Sequence, residues 1–218
     1  MSGPIGIFGG TFDPVHFGHL RAATEARELL GIDDFRLLPS GTPPHRSATM
    51  ATSFDRLAML KLAVSDGSGF QVDDREVQRK GFSYMVDTLA EIRAESGNAP
   101  LLLIIGQDAA NELDSWHNWL GLFDLAHVVI MRRPDTQPAW SGELRSQMEH
   151  RWLDDPLQLR ESSSGAVCPL LVTQLAISST DIRRRMREGL SPRFLMPDSV
   201  IGYILQKQLY FAGQAGKG

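Results

Sequence analysis

The sequence is poor in the features that define several classes of protein. Its 218 residues include one cysteine, Cys168, so no disulfide can form within the chain and we expect a reducing compartment. It has no run of about 18 consecutive apolar residues, which predicts that nothing spans a membrane. Its first residues, MSGPIGIFGG, lack the basic stretch of a signal peptide. We therefore expect a soluble, cytoplasmic protein.

An excess of positive charge is also missing. The 22 Lys and Arg against 26 Asp and Glu give a formal net charge of -4, which argues against binding to nucleic acid polymers but leaves room for a local basic pocket. The composition is close to that of globular proteins, and a chain of this length folds without disulfides or metals. We expect one domain over residues 1–218, and the oligomeric state stays open.

Apolar runs alternate with helical patterns along the chain. Strands are predicted at residues 4–8, 35–38, 70–72, 101–105, 126–131 and 170–173. Helices are predicted to begin at about residue 18, after Ser53 as N-cap, near residue 83, and at about residues 179 and 198, and one more is predicted over 111–125. Residues 133–169 are predicted to be mainly surface loop, with a helical piece at 143–152.

This alternation predicts an α/β fold. We expect a Rossmann-like, doubly wound, mostly parallel sheet with helices on both faces over about residues 1–175, followed by a short C-terminal helical part over about 176–218. In such sheets ligands bind beyond the carboxyl ends of the strands, where the strand order reverses. The loops that follow the predicted strands are therefore the places to look for function.

The first of these loops, in residues 6–20, reads GIFGGTFDPVHFGHL. A glycine-rich turn into a helix suits phosphate, because free N–H groups and the partial positive charge of the helix point at it. The spacing matches neither the dinucleotide fingerprint G-x-G-x-x-G nor a Walker loop. His16 and His19 both face one anion if they start a helix. A surface or capping pair, or a zinc pair with His45, stays open as an alternative.

A second candidate phosphate site lies near the other end of the chain, where residues 177–183 read ISSTDIR. Ser179 is a good N-cap residue, and Arg183 would lie one turn inside the helix. Hydroxyls, helix N–H groups and a guanidinium suit phosphate oxygens. The neighbouring Arg184, Arg185 and Arg187 read as a solvated basic face.

These two stretches resemble the two signatures of the nucleotidyltransferase superfamily of adenylyl- and cytidylyltransferases, in the expected order. The chain is most similar to the bacterial nicotinate-nucleotide adenylyltransferases. The stretches that carry this likeness are PSGTPPHR at 39–46, GFSYMVDTL at 81–89, LLLIIGQDAA at 101–110, SWH at 115–117 and HVVIMRRP at 127–134. The resemblance is weakest over residues 135–168.

The resemblance implies transfer of AMP from ATP to nicotinate mononucleotide, giving deamido-NAD and pyrophosphate in NAD biosynthesis, with Mg²⁺ carried by ATP. The acceptor's own phosphate, largely dianionic at neutral pH, would attack, so no protein nucleophile is needed. The expected partners are ATP and nicotinate mononucleotide, with no nucleic acid and no membrane; a homo-oligomer stays open. Alternative functions are adenylyl transfer to nicotinamide mononucleotide or phosphopantetheine, a non-catalytic nucleotide sensor, and a metal-binding protein.

The resemblance also implies roles for individual residues. Phosphate binding and catalysis are expected of His16 and His19. ATP binding is expected of Gly9, Gly10, Thr11, Phe12, Gly106, Asp108, Ser178, Ser179, Thr180 and Arg183, with Asp108 on the ribose hydroxyls. Acceptor binding is expected of His45, Arg46, Tyr84, Trp116, His117 and Arg133. Met85 and His117 stand where the family more often has Thr and Tyr, and Trp116 and Trp119 also fit as core aromatics.

Overall fold

The structure, a computed structural model, describes residues 3–42, 49–65, 67–132 and 138–211. Its strands are β1 (Ile5–Gly10), β2 (Asp34–Pro39), β3 (Phe70–Val72), β4 (Leu101–Gly106), β5 (His127–Arg132) and β6 (Val167–Leu171). Its helices are α1 (Phe17–Leu30), α2 (Ser53–Ala63), α3 (Arg75–Gln78), α4 (Met85–Ser96), α5 (Gln107–Asn111), α6 (Leu122–Leu125), α7 (Gly142–His150), α8 (Ser179–Arg187) and α9 (Asp198–Lys207). No helix in these ranges is both long and apolar enough to cross a bilayer.

The six strands form one sheet in the order β3-β2-β1-β4-β5-β6, and every neighbouring pair is parallel. Ile5 of β1 lies between Asp34 of β2 and Leu101 of β4. The chain starts in the middle of the sheet, winds outward to β3, and then returns to continue from β4 on the other side of β1. The strand order therefore reverses between β1 and β4, which confirms the predicted doubly wound fold.

Side chains on the two faces of the sheet enter two separate hydrophobic clusters. In β4, Leu102 and Ile104 join the cluster that packs against α1, α2, α8 and α9. Leu101, Leu103 and Ile105 join the cluster under α4, α5, α6 and α7. Because both faces are covered, the central strands are apolar without alternation, which is why the sequence showed them as continuous apolar runs.

Some boundaries differ from the prediction. The N-cap of α2 is Thr52, whose hydroxyl accepts a hydrogen bond from the Asp55 amide at 3.1 Å, so the assignment of Ser53 as the cap was wrong. The predicted helix over residues 111–125 is broken into short pieces: Trp116 is extended, and Asn118 takes a left-handed conformation with φ +48°. The last strand begins at Val167 and not at 170, and it contains Pro169. An edge strand tolerates proline because one side needs no ladder hydrogen bonds.

Residues 138–169 contribute more to the core than a surface loop would. Trp140, Leu144, Met148 and Leu159 are all buried, and α7 covers part of one face of the sheet. The short helix α3 was not predicted, and the helix expected near residue 83 begins at Met85. These buried residues are widely spaced between polar and Pro-rich stretches, so they gave no clear period in the sequence.

Candidate active site

The loop between β1 and α1 brings the two candidate histidines into direct contact. His16 is the N-cap of α1, and its Nδ1 accepts a hydrogen bond from the His19 amide at 3.3 Å. The two rings stack with their centroids 3.7 Å apart at an angle of 23°. The expected pairing of these side chains at the first helical turn is therefore present in the structure. His45, the third ligand of the metal alternative, lies outside the described residues.

Gly18 makes this stacked pair sterically allowed. A Cβ atom at residue 18 would lie 2.9 Å from the ring of His16 and 3.3 Å from the carbonyl oxygen of Ile177. Contacts this short would force the ring or the backbone to move. The glycine between the histidines therefore lets the loop that precedes α8 approach α1 closely.

Burial keeps both imidazoles neutral. His16 is 4% exposed, and burial lowers its pKa from the usual 6.5 to about 4. Burial, together with the neighbouring His16, lowers the pKa of His19 well below its usual value. Among the described residues nothing forms a hydrogen bond with the Nδ1 atom of His19. At neutral pH the pair therefore offers uncharged N–H groups, and a bound phosphate would favour protonation.

The second signature docks on the first loop. Arg183 of α8 donates from Nη1 to the Asp13 carbonyl at 2.6 Å, and the Ser179 hydroxyl donates to the Pro14 carbonyl at 2.9 Å. The N-cap of α8 is Ser178, whose hydroxyl accepts from the Asp181 amide, so the assignment of Ser179 as the cap was wrong. Two segments about 165 positions apart in the chain thus share one surface at the start of α1.

The side chains of the second signature are already partly engaged in this contact. Nη2 of Arg183 lies 3.3 Å from the Thr180 hydroxyl, and the guanidinium is 3.9 Å from the Asp13 carboxylate. Ser178 and Ser179 hold the helix start and the first loop. For phosphate, the described contacts leave mainly Thr180, the helix amides and the outer edge of Arg183.

A cleft opens beside this loop, between the carboxyl ends of β1 and β4. It contains seven of the residues expected to bind nucleotide or acceptor and several that were not expected. Its lining residues are Gly9, Gly10, Thr11, Ser40, Glu76, Ser83, Tyr84, Met85, Ile105, Gly106, Ala109, Trp116 and His117. The cleft lies where the strand order reverses, which is where the fold predicts a ligand.

Aromatic rings form one wall of this cleft. Tyr84, at the start of α4, lies with its ring centroid 4.3 Å from that of His117. Tyr84 and Trp116 are half-buried, whereas His117 is exposed. Such a wall suits stacking of a flat heterocycle. Trp116 packs against the core at its edge and also lines the cleft. Its position is compatible with acceptor binding, which stays a prediction.

The other expected site residues lie in three different settings. Asp108 is exposed in the first turn of α5, whose N-cap is Gly106, so Asp108 is not the cap. Phe12 is buried, its ring lies edge-on to His19 with 5.0 Å between the ring centroids, and it is not among the residues that line the cleft. His45, Arg46 and Arg133 lie outside the described residues.

Comparison with known proteins decides the family. A model described as "Cytidylyltransferase-like" matches residues 7–185, which is most of the chain. The chain belongs to the cytidylyltransferase-like family.

Within that family its relatives are nicotinate-nucleotide adenylyltransferases. A "Probable nicotinate-nucleotide adenylyltransferase" of Methylococcus capsulatus is 50% identical over 94% of this chain and 99% of its own length. One from Pseudomonas putida is 44% identical over 95% of each. The solved structure of Plasmodium falciparum nicotinic acid mononucleotide adenylyltransferase complexed with NaAD gives a TM-score of 0.72 at 17% identity, covering 96% of this chain and 98% of that one. At this identity, that likeness shows the fold alone.

This member of the cytidylyltransferase-like family also has polar residues at the site that the sequence did not single out. Arg56 is fully buried and donates to the carbonyls of Thr11, Ser40 and Gly41 at 2.6–2.9 Å. Its signal was an arginine inside the apolar stripe of α2. The Glu76 carboxyl, in the wall of the cleft, accepts from the Thr88 hydroxyl at 2.8 Å, and burial raises its pKa. No local pattern marked that residue.

Proposed function

We propose that this protein transfers the adenylyl group of ATP to nicotinate mononucleotide, releasing deamido-NAD and pyrophosphate, as a step of NAD biosynthesis. The observation that carries the proposal is the docking of α8 on the loop between β1 and α1 (residues 11–16, the histidine loop), beside an aromatic cleft where the strand order of the sheet reverses. One part of this surface suits a phosphate chain and the other suits a flat ring. The curated relatives, named for the same activity, support it.

In the proposed reaction an oxygen of the acceptor phosphate attacks the α-phosphorus of ATP. The new bond is oxygen to α-phosphorus, and the bond from the α-phosphorus to the bridging oxygen breaks, so the electron pair leaves with pyrophosphate. No protein nucleophile takes part. The sole thiol, Cys168, is buried in β6, and burial raises its pKa to about 11, which fits a structural role.

Catalysis of this step depends on position and on stabilisation of charge. His19 and His16 would donate hydrogen bonds to the phosphates, with His19 favoured as the stabiliser of the transition state. Because both imidazoles are preorganised and partly shielded from water, each donor acts more strongly than it would in solution. Thr180 and Arg183 would meet the β- and γ-phosphates, and the amides at Gly9–Gly10–Thr11 would face the nucleotide.

The remaining roles divide between the two substrates. Asp108, at the carboxyl end of β4, would accept hydrogen bonds from the ribose hydroxyls of ATP. Tyr84, Trp116 and His117 would hold the pyridine ring of the acceptor. We assign the acceptor phosphate and carboxylate to His45, Arg46 and Arg133 on the family pattern alone. Since ATP is the donor, the proposed reaction belongs in the cytoplasm.

We propose that Mg²⁺ reaches the site bound to the phosphates of ATP. Among the described residues, no group of three or more His, Cys, Asp or Glu side chains is placed to hold a metal ion. Mg²⁺ keeps several waters and binds phosphate oxygens, so it needs few protein ligands. When bound, it would neutralise part of the charge on the phosphate chain.

A panel of acceptors tests the proposal. The purified protein is given α-labelled ATP with nicotinate mononucleotide, nicotinamide mononucleotide or phosphopantetheine, and both pyrophosphate and the labelled product are measured. We expect the highest kcat/KM with nicotinate mononucleotide. A higher kcat/KM with another acceptor would reassign the substrate. Nucleotide binding without pyrophosphate release from any acceptor would show a sensor in place of an enzyme.

A further inference from the structure

A buried polar cluster is centred on a residue of the histidine loop that does not line the cleft. Its centre is the carboxylate of Asp13, a residue only 4% exposed. This carboxylate accepts hydrogen bonds from the Tyr210 hydroxyl at 2.6 Å and from the amides of Met50 and Ala51 at 2.9 and 3.2 Å. Three segments distant in the chain therefore meet on one side chain.

Tyr210 reaches this cluster from the C-terminal end of the described chain. It follows α9, is 2% exposed, and has φ +68°, a left-handed conformation that is rare for a bulky residue. Such a conformation persists only where the surroundings hold it. Here the burial of the ring and the short hydrogen bond to Asp13 keep Tyr210 in this conformation. Burial and the adjacent carboxylate raise the pKa of the phenol, so the hydroxyl remains a donor.

The residues next to Asp13 connect this cluster to the proposed catalytic pair, His16 and His19. Phe12 precedes Asp13, has φ +50°, and packs its ring edge-on against His19 at a centroid distance of 5.0 Å. The carbonyl oxygen of Asp13 accepts the 2.6 Å hydrogen bond from Arg183. Asp13 thus fixes the backbone that supports His19 on one side and receives Arg183 on the other.

We propose that Asp13 and Tyr210 are positioning residues. The hydrogen bond between Tyr210, in the turn after α9, and Asp13 fixes the conformation of the histidine loop. The loop in turn holds His19 and Arg183 where both can contact phosphate. This rests on the proposed function of the same site. Neither residue touches the cleft, so each acts through the loop and not on the substrate. The loop has left-handed backbone at Phe12 and would relax without this anchor.

The chain offers a matched control for the test. Tyr203, on α9, donates from its hydroxyl to the Asp55 carboxylate at 2.9 Å, so it makes the same type of bond to a residue outside the histidine loop. Tyr210→Phe and Tyr203→Phe each remove one hydroxyl and keep the ring. Kinetics are measured at a temperature well below the Tm of both variants. We expect kcat to fall roughly 10- to 100-fold in Tyr210→Phe, with a smaller change in the KM for ATP, and to stay within about two-fold in Tyr203→Phe.

A double-mutant cycle tests the route through Asp13. If the phenol acts only by holding that carboxylate, Tyr210→Phe should lower kcat little further in an Asp13→Asn background. Additive effects would show that Tyr210 acts by another route. Should Asp13→Asn fail to fold, the comparison of the two tyrosine variants still decides the proposal.

A measurement without turnover separates this inference from the proposed function. The ring protons of His16 and His19 are titrated by NMR in the ligand-free protein. Loosening of the loop admits water, so their pKa values should rise toward 6.5 in Tyr210→Phe and stay unchanged in Tyr203→Phe. If the wild-type protein is inactive but Tyr210→Phe shows this rise in the histidine pKa values, the proposed function is wrong and the positioning role stands. Unchanged histidine titration and unchanged kcat in a folded Tyr210→Phe would overturn the positioning role.

Discussion

At the scale of single residues, the stacked histidine pair links stability to pH. Burial holds the pKa of His16 near 4 in the folded protein, against about 6.5 when unfolded. Between these values the unfolded chain binds more protons, so stability is fully present above pH 6.5 and is lost as pH falls toward 4. The shift corresponds to about 3 kcal/mol from this residue.

His16→Asn is the variant that tests this link. Asn keeps an N-cap acceptor for α1 but does not titrate. We expect the acid-induced loss of stability between pH 6.5 and 4, measured by urea unfolding, to be smaller in this variant by up to about 3 kcal/mol. Parallel stability curves for the two proteins over that range would show that His16 is not the group responsible.

We expect His19 to contribute more to the rate of adenylyl transfer than to the binding of ATP. In His19→Ala, kcat should fall by about 10²–10³, as happens on loss of a preorganised donor, whereas the KM for ATP should change little. Pyrophosphate release under saturating substrates measures this. His150→Ala, at an exposed position on α7, serves as the histidine control and should retain full turnover. Turnover of His19→Ala within a few-fold of wild type would remove His19 from the mechanism.

At the scale of elements, α8 presents arginines in two different roles. Arg183 points into the histidine loop, whereas Arg184 is exposed and pairs with Asp181 at 2.6 Å and Glu188 at 2.7 Å on the helix surface. Exposed pairs of this kind contribute little to stability. We expect Arg183→Gln to lower kcat/KM for ATP by about 10²-fold and Arg184→Gln to leave it within about two-fold. Equal effects of the two substitutions would contradict the inward role of Arg183.

The sequence predicted the elements well where apolar runs end at glycine. β1, β4 and α1 were found within a few residues because Gly10, Gly106 and Gly31 mark their ends. The break at Asn118 was missed, because a left-handed asparagine leaves no mark in an apolar pattern. β6 was placed late because Pro169 reads as a strand breaker until the strand is known to lie at the sheet edge.

The candidate site, too, could be predicted from the sequence only in part. The two signatures were expected at the same edge of the sheet, because both follow predicted strands. The second follows the edge strand β6, and the contacts of α8 with Asp13 and Pro14 bring it to the first loop. The cluster around Asp13 did not follow, because Tyr210 lies 197 positions away and only tertiary packing brings the two together. Arg56 also needed the structure, because its three carbonyl partners lie on loops that the sequence alone does not fold.

At the scale of the whole molecule, the acidic surface and the proposed anion site coexist because charge is distributed unevenly. The net charge of -4 belongs to the full chain. Around the histidine loop the groups are neutral imidazoles, helix amides, the guanidinium of Arg183 and the buried carboxylate of Asp13, which lies 3.9 Å from that guanidinium. Arg56 adds a buried positive charge directly behind that loop. The overall charge therefore says little about the ligand, and the local arrangement decides it.

The single cysteine offers a measure of how strongly nucleotide binding stabilises the whole fold. Cys168 is fully buried in β6, on the same face of the sheet as α1 and α8, and its raised pKa leaves little thiolate. A thiol reagent should therefore react only after unfolding. A ligand at 100 times its Kd adds about 2.7 kcal/mol, so ATP at that concentration should slow labelling about 100-fold. Labelling at the same rate with and without ATP would mean that β6 opens locally while the nucleotide site stays folded.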